Sequence, residues 1–245
     1  MPATTKGKRS GEYVLGVDGC RNGWVAVALA KGRKTADVSI RPDFGTLLAD
    51  HATAAMIIVD MPIGFPDAGR RACEAMARGL LKPKRHSSVF PTPRRPMLGF
   101  ENYEEANAWG KAQADGGGLP KQTWMIMPKI REIDALLSPE DQPRIAEGHP
   151  EVAFHRLGGD TPCAHPKKSE DGAAERLTLL RTHGLTNAEA LVSIAKDAAG
   201  AGVARDDVYD ACALALTARA RLKGKARHLT DGARDARGLR MEIWG

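Results

Sequence analysis

Aromatic residues are scarce in this chain, where they make up 5% of 245 residues. A broad base-stacking surface of the kind that single-strand-binding proteins use is therefore not expected. No apolar stretch approaches the roughly 20 residues that a membrane-spanning helix needs, so we expect no membrane contact. The opening segment, Met1–Ser10, has no apolar run after its basic residues, so no secretory signal is expected. We predict a disordered basic tail over residues 1–12.

The four cysteines are widely separated, and none belongs to a CxxC pair. This spacing argues against a structural zinc site. A chain of 245 residues is long enough to bury a core without disulfides, so we expect reduced thiols and a cytoplasmic protein. The sequence also lacks a GxSxG motif, a GxxxxGK[ST] phosphate loop and a duplicated half.

Basic residues exceed acidic ones by a small margin. The chain has 36 Lys and Arg against 30 Asp and Glu, a net charge of +6. The excess suits a phosphate-rich partner but does not identify one. The sequence leaves open whether the protein forms a homodimer.

Hydrophobic patterning predicts an α/β fold with a mixed five-stranded sheet and helices on both faces. We expect a single domain over residues 13–245, with a large helical insertion at about 66–140 between the fourth and fifth strands. Five segments are predicted to form the strands: Tyr13–Val17, Trp24–Leu29, Asp37–Ile40, Met56–Asp60 and Arg144–Glu147.

Acidic residues follow two of these apolar segments. Asp18 comes directly after the first, and Asp60 ends the fourth. If the two strands are neighbours, their carboxylates would lie side by side, and a packed helix could add Asp207 and Asp210, which share one helix face. Carboxylates this close repel one another unless cations bridge them, and such oxygen ligands suit Mg²⁺ or Mn²⁺. The alternative, that Asp207 and Asp210 merely cap a helix, stays open.

Six short strings occur in order along the chain: Gly16–Trp24, Val59–Gly64, Ser88–Pro91, Gln122–Ile130, His149–Glu151 and Asp206–Ala211. Together they resemble the motifs of the domain of unknown function 429 family, a group predicted to be nucleases of the RNase H fold. The resemblance covers nearly the whole chain, from about Tyr13 to Trp244.

The resemblance implies an RNase H-like sheet whose first strand carries Asp18 and whose fourth carries Asp60, with Asp207 and Asp210 on a late helix. This arrangement of acids is similar to the four-acid site of Holliday-junction resolvases. In that analogy Asp18, Asp60, Asp207 and Asp210 are the metal ligands and catalytic residues. The expected cofactor is Mg²⁺ or Mn²⁺, and the expected reaction is hydrolysis of nucleic-acid phosphodiester bonds by a metal-activated water.

Further candidates lie near these acids. Glu151 joins the catalytic set and Glu147 is a second candidate, because both lie near the end of the fifth strand. Basic side chains in or near the motifs would position a phosphate backbone without reading bases. Four are assigned to substrate binding: Arg21, Arg71, Lys129 and Lys168. Arg78 and Lys167 stand in or near the same motifs.

Two other functions stay open. One is a small-molecule phosphotransferase or ATPase related to the sugar kinase and actin fold, whose first strand also carries an acid before a glycine-rich turn. The missing phosphate loop and duplicated half count against it. The other is a non-catalytic nucleic-acid-binding protein that retained the fold, against which the four intact acids argue.

Overall fold

A computed structural model describes residues 12–245 of the chain. The predicted tail over residues 1–12 therefore lies almost entirely outside the described residues. Within 12–245, no helix is both long and apolar enough to cross a membrane.

Five strands form one mixed sheet in the order β3-β2-β1-β4-β5. Strand β2 is antiparallel to β1 and β3, whereas β1, β4 and β5 run parallel. The predicted α/β class and five-stranded mixed sheet are therefore confirmed. The strands are β1 (Tyr13–Cys20), β2 (Gly23–Ala30), β3 (Asp37–Arg41), β4 (Met56–Val59) and β5 (Ile145–Glu147); a separate antiparallel pair consists of β6 (His228–Leu229) and β7 (Ile243–Trp244).

Nine α-helices occur in the described part of the chain: α1 (Phe44–Asp50), α2 (Ala72–Leu80), α3 (Tyr103–Lys111), α4 (Lys121–Met125), α5 (Met127–Leu136), α6 (Pro150–Leu157), α7 (Glu170–Thr182), α8 (Ala188–Ala199) and α9 (Arg205–Leu222). Helices α2 to α5 lie between β4 and β5, so the chain at about 66–140 is largely helical. Its description as an insertion into an RNase H-like fold stays a prediction.

Helices cover both faces of the sheet. Alternate side chains of a strand point to opposite faces, so one strand contributes to two apolar cores. Val14 of β1 belongs to the same apolar cluster as Leu214 of α9. Leu15 belongs to a second cluster on the other face, with Phe44 of α1 and Ile130 of α5. Burial of β1 on both faces explains its nearly continuous apolar sequence.

Gly16 lets α9 lie directly against β1. A Cβ atom at this position would fall 2.1 Å from the carbonyl oxygen of Ala211 and 2.1 Å from the amide nitrogen of Ala215. Only a residue without a side chain allows the two backbones to come so close. The contact fixes the start of α9 next to the end of β1.

Two elements differ from the sequence-based expectation. The spacing of Ala72, Met76 and Leu80 predicts a helix over Asp67–Leu81, but the helix begins at Ala72, because Gly69 has a φ of 74°, outside the helical region. The sequence also predicts a closing strand over Leu239–Trp244, but only Ile243–Trp244 form one, as β7. At Arg240 the side chain of Gln142 binds both backbone groups, donating to the carbonyl at 3.0 Å and accepting from the N–H at 2.7 Å.

The Gly16 contact predicts a large effect of a single methyl group. Gly16→Ala should destabilise the protein by about 3 kcal/mol, because α9 must move away from β1. Gly79→Ala is the control, since nothing lies within 4 Å of that position on α2. It should be neutral or stabilise by up to about 1 kcal/mol. Urea unfolding measures both, and equal stability of the two variants would contradict the close contact.

Candidate active site

Strand register brings Asp18 and Asp60 together. In the parallel pair of β1 and β4, Val17 is opposite Val59, and the backbone N–H of Asp60 donates to the carbonyl of Val17 at 2.9 Å. Asp18 and Asp60 directly follow the two paired valines, so both acids lie at one edge of the sheet. Strand β1 continues to Cys20 along β2, whereas β4 ends before Asp60.

Helix α9 adds a third carboxylate to this edge. Asp210 is 1% exposed and precedes Ala211, whose backbone lies against Gly16. Asp18, Asp60 and Asp210 line one cavity of about 310 Å³. These three residues are called the carboxylate cluster below.

The environment of the cluster disfavours its charged form. Burial, followed by the charges of Asp60 and Asp210, raises the pKa of Asp18 well above its ordinary value. Burial also raises the pKa of Asp60, although His149 and Lys167 act in the opposite direction. Burial raises the pKa of Asp210 to about 7, against the lowering effect of Lys167. The cluster is therefore short of positive charge.

Lys167 is the cation that lies against the cluster. Its Nζ atom donates to Asp210 Oδ2 at 2.7 Å and lies 3.5 Å from Asp206 Oδ2. Burial alone would lower the pKa of Lys167, but Asp210 and Asp18 raise it above its ordinary value. Lys167 therefore stays protonated and partly compensates the carboxylates.

Asp207, the fourth predicted metal ligand, has a different contact. Its Oδ2 atom accepts the backbone N–H of Ala204 at 2.9 Å, at the start of α9. This is the capping role that the sequence left open. Asp207 is not part of the cavity lining, although its charge contributes to the raised pKa of Asp18.

Glu147 and Glu151 line the same cavity, but each has an arginine partner. Glu147 Oε2 accepts from Arg71 at 2.6 Å and from the backbone N–H of Ile63 at 2.8 Å. Burial nevertheless raises the pKa of Glu147 to about 7. Glu151 Oε1 accepts from Arg176, and its Oε2 atom has no hydrogen-bond partner within the described residues.

The four predicted substrate-binding residues lie in different environments. Arg71 is 1% exposed and is paired with Glu147. Lys129 lines the cavity, donates to the carbonyl of Gly23 at 2.7 Å and lies over the ring of Trp24. Arg21, in the turn after β1, and Lys168 are exposed.

The donor chemistry of the cluster suits a hard divalent cation, although the side chains are not arranged around one. Within 12–245, no group of three or more His, Cys, Asp or Glu side chains stands in a geometry that could hold a metal ion. Asp210 Oδ1 is nevertheless buried with no hydrogen-bond partner in that range. An unpaired buried carboxylate oxygen beside two further carboxylates is the donor type that Mg²⁺ and Mn²⁺ prefer.

A family model described as a protein of unknown function, DUF429, matches residues 16–234. The chain belongs to the DUF429 family. The match confirms the family expected from the six strings. Comparisons with curated proteins and with solved structures returned no match.

Two features of this DUF429 member were not predicted. One is the contact of Lys167 with the carboxylate cluster. The sequence-based assignment chose its neighbour Lys168 for substrate binding, and only the presence of two adjacent lysines indicated that either could lie near the acids. The other is an apolar wall of the cavity, formed in part by Val89, Phe90 and Ile126. Phe90 is 45% exposed, whereas Val89 is buried.

The raised pKa of Asp18 predicts that Asp18→Asn stabilises the metal-free DUF429 protein. A carboxyl whose pKa is raised by folding contributes stability at low pH that is lost as the pH rises through the folded-state pKa. The substitution removes that loss of stability. It also keeps a side-chain oxygen in place of Asp18 Oδ1, which accepts the backbone N–H of Gly19 at 2.7 Å. At about pH 8 we expect an unfolding temperature higher by roughly 3 °C.

Thermal unfolding in the presence of a chelator measures this effect. The gain should shrink as the pH falls towards 3.8, the ordinary pKa of the side chain. Asp197→Asn, at an exposed position of α8, is the control and should change the stability by less than about 0.5 kcal/mol. A lower unfolding temperature for Asp18→Asn at about pH 8 would contradict the prediction.

Arg71→Met tests whether Arg71 is structural or binds substrate. The substitution leaves Glu147 buried without its counter-charge, so we expect a loss of about 3–5 kcal/mol. The measurement is urea unfolding at about pH 8, where Glu147 of the native protein, with a pKa of about 7, is ionised beside Arg71. Arg21→Met, at an exposed position, should change the stability by less than about 0.5 kcal/mol. Unchanged stability of Arg71→Met would contradict this structural role.

Proposed function

We propose that this protein is a metal-dependent nuclease or phosphodiesterase that hydrolyses nucleic-acid phosphodiester bonds. The observation that carries the proposal is the convergence of Asp18, Asp60 and Asp210 on one cavity. Their raised pKa values mean that a divalent cation would relieve an unfavourable accumulation of negative charge. Carboxylate oxygens suit Mg²⁺ or Mn²⁺.

The three members of the carboxylate cluster would hold the ion. Asp18 and Asp60 come from neighbouring strand ends, and Asp210 contributes the buried Oδ1 atom that has no partner within the described residues. Asp207 would have to leave its cap on α9 to join them, so we infer three ligands from this chain. Glu151 also lines the cavity, its charge raises the pKa of Asp60 and Asp210, and one of its oxygens is unpaired in the described range.

A divalent ion held by these three aspartates would supply charge stabilisation for phosphate oxygens and would acidify an attacking water, so no side-chain nucleophile would be needed. The residues of this chain would bind and orient the substrate. Lys129 adds positive charge at the cavity wall. His149 also lines the cavity and is close enough to lower the pKa of Asp60, so it is a candidate proton carrier beside the cluster.

The fold supports the RNase H-like assignment that the family resemblance implies. Its mixed sheet carries one acid near the end of β1 and one directly after β4, and a late helix brings a third acid to the same edge. The helical chain between β4 and β5 is consistent with an insertion into that fold. The finer assignment remains part of the proposal.

A nucleic-acid partner is supported by basic residues near the cluster in sequence. Arg21 follows β1 and Lys168 follows Lys167, and both side chains are exposed and able to reach a phosphate backbone. The four cysteines are buried and unpaired, which supports a reducing cytoplasm as the place of action.

The proposal predicts hydrolysis that depends on a divalent ion and on each member of the cluster. The purified protein with Mg²⁺ or Mn²⁺ is incubated with single-stranded DNA, duplex DNA, RNA and a four-way junction. Asp18→Asn, Asp60→Asn and Asp210→Asn should each lower kcat by about 100-fold or more, because each removes an oxygen ligand. Asp197→Asn is the exposed control.

Two results would contradict this function. Hydrolysis of ATP without any nucleic acid would favour the phosphotransferase alternative. Tight nucleic-acid binding with no cleavage under any metal condition would favour a binding protein.

A further inference from the structure

The segment that carries Lys167 is held in place on several sides. Ser169 Oγ accepts from the Gly172 N–H at 3.0 Å, capping α7, and donates to the carbonyl of Pro166 at 2.8 Å. A Cβ atom on Gly172 would fall 1.9 Å from the same carbonyl oxygen, so the segment lies directly on the start of α7. Lys167 is therefore presented to the cluster by a fixed backbone.

A second set of contacts fixes the residues before it. Glu175 of α7 accepts from the backbone N–H of Ala164 at 2.7 Å and of His165 at 3.0 Å. Arg85 donates to the carbonyls of Cys163 at 3.0 Å and Ala164 at 2.9 Å. These contacts come from two different parts of the chain, so the position of Lys167 is built into the fold.

Charge balance gives the lysine a specific role. The three members of the carboxylate cluster carry three negative charges when ionised, and Lys167 returns one positive charge. The remainder is the charge of a single divalent ion. Without Lys167 the same carboxylates would leave enough negative charge to attract a second ion.

The hydrogen bonds of Asp210 agree with this balance. Lys167 donates to Asp210 Oδ2, whereas Asp210 Oδ1 is buried and has no hydrogen-bond partner in the described residues. One oxygen of Asp210 is thus already bound to a cation, and the other is available.

We propose that Lys167 occupies one cation position of the carboxylate cluster, so that the cluster binds one divalent ion fewer than its carboxylates alone would accept. The inference rests on the proposed function in that it takes the cluster to be a metal site. It adds that this chain supplies one of the cations itself.

Counting bound metal tests the inference without any substrate. The full chain is titrated with Mn²⁺ alone by isothermal titration calorimetry, and bound Mn²⁺ is counted after equilibrium dialysis. We expect one Mn²⁺ per chain for the native protein and two for Lys167→Met. Lys168→Met, at the exposed neighbouring position, and Lys167→Arg, which keeps the charge, should both match the native count.

The outcomes separate this inference from the proposed function. No increase in the count for Lys167→Met, in a variant that retains the native circular dichroism spectrum, would overturn the inference. An increase from none to one would support the role of Lys167 while contradicting a metal-dependent native enzyme. An increase from one to two without cleavage of any nucleic acid would support the inference and contradict the nuclease function. Lys167→Gln gives the same readout should the methionine variant fail to fold.

Discussion

The contact between α9 and β1 at Gly16 is the constraint on which the candidate site depends. Because Gly16 has no side chain, the backbones of the helix and strand touch, and Asp210 comes to the edge of the sheet where Asp18 lies. The parallel register of β1 and β4 brings Asp60 to the same edge. A larger spacing between α9 and the sheet would leave Asp210 on a separate layer.

This convergence opposes stability. Burial raises the pKa of each of the three carboxylates, neighbouring carboxylates raise it further at Asp18 and Asp210, and the ammonium group of Lys167 offsets only part of this cost. A chain selected for stability alone would replace at least one of them with an apolar or amide side chain. The arrangement is understandable if a cation binds the cluster, since the binding free energy then offsets the cost of gathering the carboxylates.

The strands, and the approach of Asp18 to Asp60, could be predicted because local patterns determine them. Apolar runs mark the buried strands, and an acid directly after each run lies at the strand end whatever the rest of the fold does. Asp207 was ambiguous, since an acid in the first turn of a helix satisfies capping and ligation equally well. Its contact with the Ala204 N–H could be found only in three dimensions.

Side-chain pairs between residues far apart in the chain could not be predicted from the sequence. Arg71 is separated by 76 residues from Glu147, so nothing in its neighbourhood showed that it is buried. Lys167 lies in a segment without periodicity, and its position depends on Arg85 and on Glu175 of α7. Choosing between Lys167 and Lys168 required knowing which of two adjacent side chains points inward.

The arginine pairs separate the buried acids of the cavity into two kinds. Glu147 has Arg71 and Glu151 has Arg176, so each glutamate has its own guanidinium partner. Asp18, Asp60 and Asp210 instead share the ammonium group of Lys167, which lowers the pKa of each, and His149 also lowers the pKa of Asp60. Acids with individual partners can be kept for the stability of the fold. Acids without a guanidinium partner of their own receive less positive charge, and this deficit is the physical reason to propose the metal site at the aspartates rather than at the glutamates.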